Sequence, residues 1–340
     1  MLFSYRFRRF CGKMLRLLLV LLVIAVLALA CWLLWLQRYV IYTADGVRLD
    51  FSLSAIAPGQ IALPPQTTEK TEILYEKPKE DQKQDPATAL LTGYYVEEEE
   101  LYSDIPGLLA RLKKLPAGTP VLLDVKNYRG YFYYSTSVGS ATFGKVDVAA
   151  MDELLQWLGN SELYSIARLP ALADYVYGAE NPAAGLPVSS GALYFDEQKR
   201  YWLDPTKEDT LTYLIQTARE LRSLGFDEVV FSDLRIPEAE KIVFTGDRQQ
   251  AVSDAAQAIV SACATENFLV SFVAERADFP LPTDRSRLYL MNVAAADVAE
   301  QVALLPEGFQ PGRLVFFADN TDNRYNAYGV LRPLSLAVVG

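Results

Sequence analysis

Leu224-Gly225-Phe226-Asp227-Glu228-Val229-Val230-Phe231-Ser232-Asp233-Leu234-Arg235-Ile236-Pro237 reads as a short apolar strand that ends in polar residues. Upstream, Leu211, Leu214, Ile215, Ala218, Leu221 and Leu224 recur at spacings of three and four, the pattern of a helix with one buried face. Gly225 falls where a helix C-terminus favours a residue free to take positive φ, and Pro237 cannot continue a hydrogen-bonded ladder. Helix, glycine and strand together make half of a βα repeat. In parallel α/β folds, side chains at the carboxyl end of a strand face the place where ligands bind, so Asp233 and Arg235 become site candidates.

Outward from this stretch, apolar runs alternate with helical patterns through the last 250 residues or so. The runs are Leu91–Val96, Val121–Lys126, Leu163–Leu169, Glu228–Asp233, Phe268–Ala274, Leu288–Val293, Leu314–Ala318 and Val330–Leu336. Helices are expected at Ile105–Leu115, Val148–Leu158, Thr210–Leu224, Gln249–Thr265 and Ala295–Leu305. Eight strands with helices between them predict an α/β fold, a (β/α)8 TIM barrel over residues 89–340, with 172–207 as an excursion over one end.

The amino-terminal part reads differently. Residues 17–36 are an uncharged apolar run, long enough to cross about 30 Å of hydrocarbon as a single transmembrane helix. Five basic residues precede it in the 1–16 tail, which places that tail in the cytoplasm and the body outside the cell membrane, a single-pass signal-anchor. A cleaved signal peptide is the alternative, with Ala28-Leu29-Ala30 as a small-residue cleavage site and Cys31 as a lipoprotein-like cysteine. Residues 39–55 predict a short hairpin around Asp45-Gly46, and 56–88, rich in Pro, Gln, Lys and acidic residues, a flexible polar linker.

Charge and composition narrow the function. The first 38 residues hold six basic side chains and no acid, which leaves 26 basic against 42 acidic residues beyond them, a net charge of −16. Such a body repels phosphate backbones, so nucleic acid is not an expected partner. There is no histidine, which removes Ser-His-Asp and Cys-His nucleophile schemes and imidazole zinc sites. Acid–base chemistry falls to carboxylates, tyrosine or lysine, and no cofactor or metal is expected. Only Cys263 lies beyond the apolar run, in a helical pattern that reads as a buried thiol.

Polar residues close the strands in turn. Asp124 and Lys126, two apart, are expected on one strand face; Arg168, Asp233 with Arg235, Glu275, Asn292 and Asp319 end the strands that follow. Tyrosine outnumbers phenylalanine, 20 to 16, which suits surfaces that stack on sugars, and Tyr94 and Trp202 are the aromatic candidates for substrate contact.

Two longer stretches carry a family resemblance. Tyr201-Trp202-Leu203-Asp204-Pro205, a helix, and then Gly225 to Pro237 resemble the pattern W-x-[ND]-P, helix, G-F-D-E-[IV]-Q-F-D-Y-[IV]-R-F-P of bacterial glycoside-hydrolase-like TIM-barrel domains, which are distantly similar to the α-amylase clan. Val121-Leu122-Leu123-Asp124-Val125-Lys126-Asn127-Tyr128-Arg129-Gly130 resembles that family's V-[IV]-I-D-V-K-[DN]-x-x-G, and Ile166-Ala167-Arg168 its G-R strand. The similarity spans residues 91–275 and implies a hydrolase of extracytoplasmic polysaccharide or cell-wall glycan. An amylase-like arrangement would put a nucleophile on the fourth strand, an acid on the fifth and a helper on the seventh, hence Asp233, Glu275 and Asp319. Asp124 is a further candidate base, with Lys126, Arg168 and Arg235 holding substrate hydroxyls. This chain departs from the pattern at Ser232, which stands where the family has Asp. A catalytically inactive barrel that binds glycan or a protein partner at the cell surface is therefore the alternative function.

Overall fold

The computed structural model describes residues 40–43, 46–49, 86–139, 144–282 and 284–337. The chain divides into two units, Met1–Leu74 and Tyr75–Gly340. In the first, β1 (Val40–Thr43) pairs antiparallel with β2 (Gly46–Leu49), Thr43 opposite Gly46. The expected cytoplasmic tail, the apolar run at 17–36 and the linker up to residue 85 lie outside the described residues, and no described helix is long and apolar enough to cross a membrane.

The second unit is a closed barrel of eight parallel strands in the order β3 to β10. They are β3 (Thr92–Tyr95), β4 (Pro120–Asp124), β5 (Tyr164–Pro170), β6 (Glu228–Ser232), β7 (Leu269–Ala274), β8 (Leu288–Leu290), β9 (Leu314–Phe317) and β10 (Gly329–Pro333). Val330 to Pro333 pair with Thr92 to Tyr95, which joins the last strand to the first and leaves no edge. All eight expected strands form, their ends differing from the expected ones by up to three residues.

The helices are α1 (Glu98–Ser103), α2 (Ile105–Leu112), α3 (Val148–Gly159), α4 (Tyr175–Glu180), α5 (Glu208–Ser223), α6 (Arg248–Cys263) and α7 (Val298–Ala303). Helices α1 and α4, each six residues long, lie outside the helices expected from the sequence. Among the described residues the outer ring is incomplete, with no helix between β7 and β8 and a single 3-10 turn between β9 and β10. Pro280 and Pro282 occupy the first of these connections and deny a helix its interior N–H donors. Gly225 takes φ of +92° where α5 turns into β6, and a Cβ there would meet the backbone of Gly159 at 2.7 Å, so α3 and α5 end against each other through two glycines.

Alternation along the strands sends one set of side chains outward to the helices and another into the barrel. The inner set includes Leu91, Leu122, Ile166, Val230, Tyr289, Val315 and Leu331. Beneath that layer, at the amino ends of the strands, the floor is charged. Glu228 and Arg287 form a buried ion pair at 2.5 Å, and Glu228 also accepts hydrogen bonds from Tyr164 at 2.9 Å, Ser271 at 2.5 Å and Tyr289 at 3.0 Å. Arg287 donates onward to the Pro86 carbonyl. With every partner present the buried charges are matched; removing one strands the other in a low-dielectric interior. Arg287→Met is expected to lower unfolding free energy by about 3–5 kcal/mol, and adding Glu228→Gln to recover part of it, read from denaturant titrations.

Candidate active site

The carboxyl ends of the strands form a mouth whose centre is held by an ion pair. Asp124 follows Leu122 at two residues' distance, so its carboxylate also points inward, and register aligns it with Arg168 on β5. Arg168 binds it in a bidentate fork, Nε to Oδ1 at 2.6 Å and Nη2 to Oδ2 at 2.8 Å. The same guanidinium reaches across the mouth, donating to the Met291 sulfur at 3.6 Å and lying 5.3 Å over the Phe317 ring. Tyr95 meets Phe317 edge-on at 5.6 Å. Burial lowers the Arg168 pKa, but the Asp124 carboxylate outweighs it and raises the net value.

Glu98, at the start of α1, lies close enough for Arg168 to feel its charge. Tyr102 and Tyr133 both donate to Glu98 Oε1, their hydroxyls 2.8 Å apart. Burial, then the hydrogen bond to this carboxylate, raises both phenols, so they remain protonated donors at neutral pH. Tyr102 also feels Asp124.

Next to β5 in the barrel, β6 ends at Ser232, whose parity with Val230 turns it inward. Asp233 then adopts φ of +53°, a left-handed conformation rare outside glycine, and the alternation stops. Its carboxylate accepts from Ser232 Oγ at 3.2 Å and lies 3.7 Å from Arg200 Nη1, so leaving the strand has not carried it to the outer face. Arg200 is fixed in turn by Asp196 at 2.7 Å and lies 5.0 Å over Trp202, whose indole donates to Asp196 at 2.8 Å. All three residues belong to the excursion, which folds back on itself through bridges Ala173 to Trp202, Gly185 to Leu203 and Phe195 to Tyr201.

The other expected site residues fall in different places. Lys126 does not share the mouth with Asp124: β4 ends at Asp124, and Lys126 sits in the turn beyond, paired with Asp174 at 2.6 Å with both side chains fully buried. Asp174 meanwhile accepts from Tyr213 Oη at 2.9 Å and from the Tyr177 backbone N–H at 2.8 Å, so this pair pins the loop after β4 to α4 and α5. Trp202 is buried beneath Arg200 and Arg235 and offers no face to a sugar. Tyr94 packs outward against the helix layer, while its neighbour Tyr95 faces the mouth. Glu275 is 86% exposed and 4.0 Å from Arg235. Asn292, at φ of +59°, and Asp319 stand exposed on the rim; the Asp319 charge reaches Tyr95. Two clefts, of about 300 and 440 Å³, flank the excursion, and neither is lined by Asp124, Asp233 or Glu98. Among the described residues no group of three or more Cys, Asp or Glu side chains is placed to hold a metal ion.

The model of a family described as "Putative glycosyl hydrolase domain" matches residues 92–274, more than half of the chain and the whole arc from β3 to β7. The chain belongs to that family. Its barrel is similar to that of the GH36 α-galactosidase AgaA from Geobacillus stearothermophilus, solved with raffinose, at 13% identity and a TM-score of 0.50 over 74% of this chain and 40% of that one. A hypothetical protein from Ruminiclostridium thermocellum matches at 20% identity and 0.45 over 52% of this chain and 96% of that one. The glycoside hydrolase domain of PelA from Pseudomonas aeruginosa matches at 13% and 0.46 over 74% and 98%. At 13% identity the likeness to the galactosidase is one of fold, and this chain spans about two fifths of that protein's length. No curated protein is significantly similar in sequence.

Sequence reasoning missed Glu98, Tyr95, Arg200 and Asp196. Glu98 had a usable signal, because Glu97 to Glu100 follow directly on a strand and so fall at the ligand-binding end of a barrel. Arg200 had none, since only the folding of the excursion brings it to Asp233.

Burial raises the Asp196 pKa, but hydrogen bonds from Trp202 and Arg200 outweigh it and hold the carboxyl below its usual range. A depressed carboxyl contributes stability that is complete above its unfolded value, about 3.9, and is lost as pH falls through the folded one. The near-UV circular dichroism of the wild type is expected to hold down to about pH 4 and fade below it. Asp196→Asn is expected to show a weaker signal at neutral pH and a smaller change on acidification.

Proposed function

We propose that the chain is a membrane-tethered glycoside hydrolase acting on an extracytoplasmic polysaccharide or cell-wall glycan. The observation that carries this reading is the ring of carboxylates at the strand ends, with Asp233 turned at positive φ beside an inward serine. Asp233 is assigned the role of nucleophile or base. Glu275 follows β7, the immediate neighbour of β6, and is assigned the role of general acid. Glu275 stands in solvent, 4.0 Å from Arg235, where the leaving-group oxygen of a bound glycan can reach it. Asp124, clamped by Arg168, presents a fixed charge to sugar hydroxyls, and Arg235, Asn292 and Asp319 line the approach. The membrane tether is supported by the basic tail and the apolar run at 17–36, whose charge asymmetry favours a barrel outside the cytoplasm.

Ser232, in place of the family's aspartate, favours a second reading in which the mouth binds glycan without cleaving it.

Release of reducing ends from a glycan panel is the test. Asp233→Asn and Asp124→Asn are each expected to lower kcat by about a hundredfold or more. Glu275→Gln is expected to lose about as much on native linkages but far less on aryl glycosides, whose leaving groups need no proton. Hydrolysis unchanged in all three variants excludes these assignments, and no hydrolysis by the wild type, with binding intact, favours the silent barrel.

A further inference from the structure

Among the described residues three aromatic side chains stand well out into solvent, and all three lie in one region. Tyr128 is 44% exposed, Phe195 39% and Tyr175 37%. Tyr175 stacks on Tyr201 at 5.4 Å with planes 12° apart, and Phe195 tilts against both, at 6.1 Å from Tyr175 and 4.9 Å from Tyr201. Tyr128 joins the group through Arg200, which lies 6.0 Å over its ring and within 3.7 Å of Asp233. The patch therefore begins one side chain away from the proposed nucleophile, on loops that topology places at the same end of the barrel.

We infer that Tyr128, Tyr175 and Phe195 form a platform for a neutral glycan, holding the sugar units that extend beyond the mouth; the inference rests on the glycan reading of the site. Flat rings offer apolar faces to the C–H face of a pyranose, and tyrosine hydroxyls at their edges bond to its hydroxyls. Continuity with Asp233 through Arg200 gives a polymer a path from the platform to the mouth. The strongly acidic body also weighs against an anionic phospholipid surface.

The test uses the full-length chain in native gels containing soluble starch, galactomannan or glycol chitin, beside cleavage of the corresponding trisaccharides. The wild type is expected to be retarded in at least one polymer gel. Phe195→Ala and Tyr128→Ala, at exposed positions and with melting curves matching the wild type, are each expected to weaken that retardation roughly three- to tenfold while leaving trisaccharide cleavage as it was. Retardation equal in wild type and variants overturns the platform, as does its absence from all three gels or a ring-dependent co-sedimentation with phosphatidylglycerol vesicles in its place. The two readings fail separately: ring-dependent retardation without any cleavage sinks the hydrolase and keeps the platform, whereas trisaccharide cleavage with ring-independent retardation does the reverse.

Discussion

Side chains on a strand point alternately to its two faces only while the strand lasts, and in this barrel the point at which each strand stops decides which charges meet at the mouth. On β4 the alternation holds through Asp124, which points inward, and fails before Lys126, which turns under a loop to Asp174. On β6 it holds through Ser232 and fails at Asp233, whose positive φ returns its carboxylate to the side of the serine. A strict period of two carried two residues past the end of β4 and one past the end of β6 would have put Lys126 in the mouth and Asp233 among the helices. Both residues are where they are because the ladder ended first.

Three ion pairs, two sealed from solvent and one partly open, do different work. Glu228 and Arg287 close the floor of the barrel, inside a shell of tyrosine and serine donors. Lys126 and Asp174 bind the loop after β4 to the excursion. Asp124 and Arg168 lie at the carboxyl end, where a barrel builds its ligand sites, and the reach of Arg168 to Met291 and Phe317 gives the centre of the mouth a rigid charged floor. Each pair is costly to bury alone and is matched by hydrogen bonds as well as by its partner. Exposure separates them: the first two pairs are sealed from solvent, while Asp124 and Arg168 keep part of their side-chain surface open.

The excursion between β5 and α5 carries the other half of the site. It lays Arg200 between Asp196 and Asp233, buries Trp202 beneath two guanidinium groups and turns Tyr175 and Phe195 outward. The tryptophan that resembles a sugar platform in the linear pattern is thus a packing element, and the exposed rings lie elsewhere in the same segment. A residue type suited to stacking does so only where its face is left open.

The sequence by itself determined the barrel. Eight apolar runs interleaved with amphipathic helices carry their own periodicities, which depend on neighbours three or four residues away, or two, and survive without knowledge of the fold. It also marked Asp124, Arg168 and Asp233 as strand-end residues, the first two at positions that resemble a hydrolase family's pattern and the third one place beyond that family's Asp. What tertiary structure alone decided was partnership and exposure: that Arg168 clamps Asp124, that Arg200 reaches Asp233 from 33 positions upstream, that Lys126 is buried and Glu275 is not. These depend on where strands stop and how a long loop folds back, and distances between residues far apart in the chain leave no periodic trace in it.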